Sequence, residues 1–338
     1  MMRARSLTLI LLFLAAASAR AEPRFLVRMA TVAPDGTGWA RELKAFARSV
    51  ESLTSGQVRV RWYLGGIAGG EHEMAERVRR GQLDGLVSGG PLCQRLAPSL
   101  RPLQLPGLFQ NRGEAAHVMN RLRSLLDQEF LRAGYANLGE LSLGPGVIFS
   151  RAPIRTIADA RRLRIWVWDA LDPSSYRTFT DVLGMQTVPL PMETAARAYD
   201  EQRVDAFLAV PTAALAFQWS TQARYVLDLP VAYAVGCLVV SSRAFDALPI
   251  EFQRALHDAT AQALTRLNDL GQRQDDALLG GVLERQGLVR VRPSEALRAE
   301  FFQAARVGRE RLGPDLIPPA LLERVLGMLA DYRGEHRE

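Results

Sequence analysis

The chain has 338 residues, 48% hydrophobic and 23% charged, with a formal net charge of +6. That balance excludes disordered and fibrous classes and leaves length enough for two domains, each with its own core. The charge excludes more than it suggests. Three of the 42 basic residues precede residue 22, so the rest balance at 39 − 36 = +3. Lys44 is the only lysine, and no basic run interleaved with aromatics points to nucleic acid.

In chain order, the first 21 residues predict a secretory signal. Arg3 and Arg5 form a positive start, and Leu7 to Ala17 is an apolar run too short to span a bilayer comfortably. Ala17-Ser18-Ala19 and Ala19-Arg20-Ala21 both fit small-x-small cleavage, so processing after Ala19 or Ala21 is expected. No cysteine follows that run, which excludes a lipoprotein anchor, and no later stretch reaches 18 apolar residues. A soluble, exported, periplasmic chain is expected.

Phe25 to Ala30 reads as a strand, followed by a VAPDGTG turn and a helical stripe from Trp39 to Leu53. Val58 to Tyr63 alternates as a second strand. Glu71 to Arg80 is a helix, and Leu83 to Val87 a third strand ending in Ser88-Gly89-Gly90-Pro91. Such β-α-β-α-β order implies parallel strands with crossover helices. Leu103 to Phe109 is an apolar loop, Gly113 to Ala133 a helix, and Ala136 to Leu143 a strand that Gly144-Pro145-Gly146 should break at a domain crossing. Val147 to Ser150 and Leu163 to Trp168 open the second domain, the latter after a helical turn capped at Asp159. A helix from Pro173, a strand start at Thr187, a helix from Glu193 to Glu201, a strand from Arg203 to Leu208 and a short helix from Thr212 follow. Val231 to Ser241 is a candidate return crossing. The helix begun at Pro249 runs about 36 residues to 285, roughly 54 Å, long enough to brace both lobes. Two further helical stripes, Glu295 to Arg309 and Pro319 to Tyr332, end the chain.

Leu163 to Trp168 carries the most information. Alternation puts Ile165 and Val167 on one face and Arg164, Trp166 and Trp168 on the other. Two indoles on one face make an apolar wall; the plainer alternative is a second covered core face. Cys93 and Cys237 are read as two buried free thiols, with a disulfide open in an exported protein. Four histidines, at 72, 117, 257 and 336, have no metal-site spacing to the cysteines. His72-Glu73-Met74-Ala75-Glu76 lacks the second histidine of a zincin helix, and no nucleophile elbow, P-loop or dinucleotide motif occurs. Asp84 and Asp205 read as structural hydrogen-bonding residues. No catalytic residue, metal or cofactor is expected.

Several stretches together resemble the solute-binding proteins of tripartite ATP-independent periplasmic (TRAP) transporters. They are MATVAPDGTGWARELKAFA, VRRGQLDGLVSGG, LQLPGLF, IRTIADARRLRIWVW, VDAFLAVP and VGCLVVSSRAFDALPIEFQRAL, in that order. The resemblance implies an α/β fold of the two-lobe periplasmic-binding-protein type. Its β-α-β lobes would be joined by crossing strands and a long bracing helix, closing on a small molecule. The lobes would comprise 22–144 with 236–272, and 145–235 with 273–338, the helix 249–285 spanning both. It implies membrane-embedded TRAP subunits as partners and no enzymatic activity. A periplasmic enzyme or a sensory adaptor on the same scaffold stays the alternative. Where that family carries an arginine that clamps a ligand carboxylate this chain has Trp166, and at the family's proline it has Trp168. The polar Gln-Glu-Asn trio is replaced by Phe207, Leu208, Ala209 and Val210. The W-V-W run resembles a branch that works with a tetratricopeptide-repeat partner.

Ligands in open sheets bind beyond the carboxyl ends of strands. The candidate ligand-binding residues are therefore Pro34, Trp39, Ser88, Gly89, Phe109, Trp166, Trp168, Phe207, Val210 and Tyr233. Trp39 and Tyr233 serve equally as packing residues. Arg164, on the face of the tryptophans, is the candidate replacement for the missing charge. Burying a carboxylate without a cation costs several kcal/mol, whereas one buried indole contributes up to about 5 kcal/mol by area. A ligand with a substantial apolar or ring surface is expected.

Overall fold

The computed structural model describes residues 23–89, 91–168 and 174–336. The signal peptide with its cleavage sites, Gly90 and Pro173 lie outside the described residues.

The first lobe opens with β1 (Phe25–Ala30), α1 (Gly38–Leu53), β2 (Val58–Tyr63), α2 (Glu71–Arg79) and β3 (Gly85–Ser88). Helix α1 starts where the Thr37 hydroxyl accepts from the Ala40 N–H, and it buries Leu43, Phe46 and Val50 at helical spacing. Then come α3 (Pro91–Leu96), a 3₁₀ turn (Pro98–Gln104), α4 (Arg112–Arg132) and β4 (Tyr135–Ser150). The second lobe adds α5 (Ile157–Arg162), β5 (Arg164–Trp168), α6 (Ser174–Leu183), β6 (Gln186–Leu190), α7 (Met192–Asp200), β7 (Ala206–Ala209) and α8 (Pro211–Ala216). The cap of α5 is Thr156, not Asp159. Asp159 sits three residues on and completes a capping box with it. A 3₁₀ turn (Trp219–Gln222), β8 (Tyr225–Ser241), α9 (Ser242–Asp246), α10 (Ile250–Ala277), α11 (Leu283–Arg285), β9 (Val289–Val291), α12 (Glu295–Arg309) and α13 (Pro319–Glu335) follow.

The strands run in the order β2-β1-β3-β8-β4-β7-β5-β6, with β9 added to β8. β1, β2 and β3 are parallel, as are β5, β6 and β7, and the long antiparallel pair β4 and β8 joins the two sets. Gly144-Pro145-Gly146 does not break β4. The ladder passes through it with register shifts at 142/144 and 146/148, and Pro145 sits opposite Tyr233. Bulges of this kind bend and twist a ribbon without ending it. β8 likewise begins at Tyr225, earlier than its apolar run suggests, because the segment before Pro230 also pairs with β4 and β9.

α10 is 28 residues, about 42 Å. Pro249 is its N-cap, and the helix passes through a π turn at Leu278–Val282, where Gly281 takes a φ of 126°. It packs on α1 and β4, and its far end reaches α8. There Asp275, buried to 1% exposure, accepts from the Thr212 N–H (3.0 Å) and hydroxyl (2.5 Å) and forms an ion pair with Arg112. Gly144, at φ 120°, lies against this pair. A Cβ there would sit 2.5 Å from the Arg112 Nη2 and 2.6 Å from the Asp275 Oδ2. One carboxylate thus ties α4, α8 and the bracing helix together beside the bulged crossing strand.

Candidate functional site

The cleft between the lobes encloses about 1120 Å³, counting the solvent at its mouth. The first lobe supplies Thr31, Val32 and Ala33 beyond β1, Trp39 and Leu43 from α1, and Val87, Ser88 and Gly89 from β3. The crossing strands supply Leu141, Ser142, Leu143 and Ala234. From α10 come Leu267, Asn268 and Gly271, one face of the helix. The second lobe closes it with Trp166, Trp168, Leu208, Ala209, Val210, Ala213, Phe217 and Trp219. None of these side chains is ionisable at neutral pH. The strand ends contribute as open-sheet geometry requires.

The aromatic wall is built in two layers. Trp166 is fixed by its indole N–H, which donates to the Leu190 carbonyl at 2.9 Å, and by an edge-on contact with Trp219, centroids 4.8 Å apart. Trp219 stacks on Phe217 at 4.8 Å. The residue between them, Gln218, has a φ of 61°, so the chain turns sharply and delivers both rings to one side. Behind this layer lies Phe207. It is buried, stacked on Phe149 at 4.9 Å and edge-on to Tyr199 and Trp219. It therefore supports the wall without lining it. The next three residues, Leu208, Ala209 and Val210, line the cleft as β7 ends. The Trp168 ring comes close to Gly89 across the gap: a Cβ on Gly89 would meet Trp168 Cζ3 at 3.4 Å.

Three other candidates lie off the lining. Phe109 and Tyr233 are buried and meet edge to face at 6.1 Å beneath the sheet. It is Ala234, next along β8, that reaches the cleft. Burial pushes the Tyr233 hydroxyl up to about 12. Pro34 falls just past the lining residues, and its carbonyl accepts from the Thr37 hydroxyl at the start of α1 (2.8 Å).

Arg164 does not restore a charge to the cleft. Its guanidinium makes two bonds of 2.7 Å to the Asp205 carboxylate, while its backbone N–H donates to the same group. It stands at the amino end of β5, about 6.7 Å along the strand from Trp166 and away from the carboxyl ends. The first lobe contains the same device: Arg28 on β1 grips Asp84 before β3 with its backbone N–H and both side-chain donors. In each lobe an arginine on one strand (β1, β5) grips the aspartate just before the parallel neighbour (β3, β7) and helps hold the two in register. The guanidinium holds the Asp205 carboxyl below the usual range.

The cleft floor rests on Glu71, at the start of α2. Its Oε1 accepts from the Ser88 hydroxyl (2.6 Å) and the Gly89 N–H (2.9 Å), and its Oε2 from the Leu92 N–H (3.1 Å). Burial pushes this carboxyl up against the pull of those donors. Beside it, Cys93 and Cys237 are joined in a disulfide, Cα atoms 5.8 Å apart. They are not free thiols. Antiparallel pairing of β3 with β8 places Ser88 opposite Cys237 and brings together cysteines 144 residues apart.

Residues 29–310 match the family model described as DctP, bacterial extracellular solute-binding protein, family 7. The chain belongs to that family. It is a receptor and not an enzyme, and among the described residues no helix is long and apolar enough to cross a membrane. The receptor is 24% identical over 247 residues to the 2,3-diketo-L-gulonate-binding periplasmic protein YiaO of Escherichia coli K12, covering 71% of this chain and 73% of that one. Its fold matches a TRAP periplasmic solute-binding protein of Desulfovibrio desulfuricans with bound sn-glycerol-3-phosphate. The TM-score is 0.83 at 18% identity, over 93% of this chain and 99% of that one. It also matches the sugar acid binding protein of Advenella mimigardefordensis in complex with galactonate. Here the TM-score is 0.83 at 18% identity, over 92% and 99%.

Sequence reasoning missed Leu143, Phe217, Trp219, Leu267 and Asn268. For Asn268 a signal existed: it is a lone amide on the otherwise apolar 263–264–267–271 face of the bracing helix.

Proposed function

We propose that this receptor captures a small organic molecule with a large apolar or ring surface and delivers it to TRAP membrane subunits. The observation that carries this reading is the lining itself: four tryptophans, Phe217 and a ring of aliphatic groups, with no ionisable side chain among the described lining residues. The wall contributes more when the lobes shut, since Trp168 and Gly89 come from opposite sides, so ligand stabilises the closed state. The lobes are 22–144 with 236–272, and 145–235 with 273–338, hinged at the bulges of β4. Ligand contact is assigned to Trp39, Ser88, Gly89, Trp166, Trp168 and Val210. The first 21 residues act as the export signal, cleaved after Ala19 or Ala21. The W-V-W strand supports a tetratricopeptide-repeat protein as a further partner.

Intrinsic tryptophan fluorescence during a ligand screen tests the reading. Binding should shift the emission, and Trp166→Ala with Trp168→Ala should weaken it at least tenfold, given the area each indole covers. Unchanged affinity in that double variant, or tight capture of a small, fully polar dicarboxylate, defeats it.

A further inference from the structure

The polar groups at the cleft are few, and the donors at its floor are already committed. The Ser88 hydroxyl and the Gly89 N–H, which a ligand anion would seek, both point to Glu71 at 2.6 and 2.9 Å. The Trp166 indole N–H is held by the Leu190 carbonyl. Glu71 itself is buried, and no cation pairs with it among the described residues. Both its oxygens accept from neighbouring donors, three in all, an arrangement that favours the ionised form while burial opposes it. In that form a negative charge sits directly behind the floor. Away from that floor the cleft offers a ligand a free acceptor. Asn268 Oδ1 is buried with no hydrogen-bond partner among the described residues, on a residue that lines the cavity. An orphan acceptor in an apolar cavity is stabilised by a donor brought to it.

We infer that the cleft rejects anions, that Glu71 enforces this from behind Ser88 and Gly89, and that Asn268 receives a hydrogen-bond donor on a neutral or cationic ligand. The inference rests on the interlobe-cleft reading above. A ligand carboxylate seated against Ser88 would lie about 5 Å from the Glu71 carboxylate, since two hydrogen bonds separate them. At an effective dielectric of about 20 that repulsion is on the order of 100-fold in affinity. Tryptophan faces favour the opposite charge, because their quadrupole attracts cations.

The experiment uses three matched indoles on the processed chain: tryptophol, tryptamine and indole-3-acetate. Calorimetry gives affinity, and tryptophan emission of the protein, followed as a non-indole competitor series (phenethyl alcohol, phenethylamine, phenylacetate) is added, gives location. The alcohol or amine should bind at least tenfold more tightly than the acid in both series. Glu71→Gln should narrow that gap about tenfold, with circular dichroism verifying the fold. Asn268→Leu should weaken the alcohol and amine while leaving rejection of the acid in place. An acid that binds as well as its alcohol overturns the charge rule. If that acid still shifts the emission, the cleft reading survives it. Binding without an emission change shows instead that the cleft reading fails. Failure of every alcohol and amine to bind overturns the inference. So does an unaltered gap in a folded Glu71→Gln protein, with Asn268→Leu equally silent.

Discussion

Two buried carboxylates flank the cleft, and they are satisfied in opposite ways. Asp275, on the bracing helix, has Arg112 as a counter-charge and Thr212 as a double donor. Glu71, under the floor, accepts from the neutral donors Ser88, Gly89 and Leu92, with no cation beside it among the described residues. The guanidinium is placed where three elements must stay fixed, and the floor holds a carboxyl met by neutral donors. Charge pairing in this receptor serves the frame, and among the described residues the cleft lining carries no cation.

Four variants would break or sharpen the contrast. The largest effect should come from Cys93→Ser with Cys237→Ser, because their bond ties α3, which Glu71 anchors, to the crossing strand β8. Closing a loop of 144 residues contributes about 4 to 5 kcal/mol on the chain-entropy account, read as a lowered urea midpoint. Next, Arg112→Leu leaves Asp275 buried without its cation and should cost about 3 kcal/mol, the low end for such pairs because the Arg112 side chain keeps 20% exposure. A loss below about 1 kcal/mol would remove the distinction between frame and floor. Glu71→Gln exchanges one acceptor for a donor and should cost about 1 kcal/mol, since the amide needs no buried charge. A cost as large as that of Arg112→Leu would mean that neutral donors hold a carboxylate as firmly as a guanidinium does. Smallest is Asp205→Asn, below about 1 kcal/mol for a pair this exposed. Its sign with pH is fixed. Arg164 depresses the folded pKa of Asp205, so the contribution is present above the usual value of 3.8 and lost as pH falls through the depressed one. The deficit of Asp205→Asn should therefore vanish in acid, by thermal melts across that range, with ligand binding at neutral pH unaltered.

The order of elements was legible because hydrophobic period separates helix from strand, and the two β-α-β lobes follow from it. Depth along a strand was not. Parity assigned Arg164 to the face of Trp166 and Trp168, but the cleft lies at the other end of β5, and Asp205 claims the guanidinium first. Parity also cannot say which face of a strand covered on both sides meets the cleft. Phe207 fell to the inner layer and Leu208 to the lining for that reason. The left-handed turn at Gln218 that presents Phe217 and Trp219 has no glycine to announce it. Gly144-Pro145-Gly146 reads as a break because proline and glycine punctuate most sheets, whereas here a bulged ribbon absorbs them.

The single cystine also governs how the molecule is made. The chain holds only two cysteines, so intramolecular oxidation has one possible product and no shuffling among wrong pairings is needed. Synthesis and export run from the amino end, so residue 93 emerges long before residue 237 and waits as a thiol until the return strand arrives. The covalent seal is therefore a late event. An oxidant that acts early cannot form the native bond; it leaves Cys93 capped or joined to another molecule.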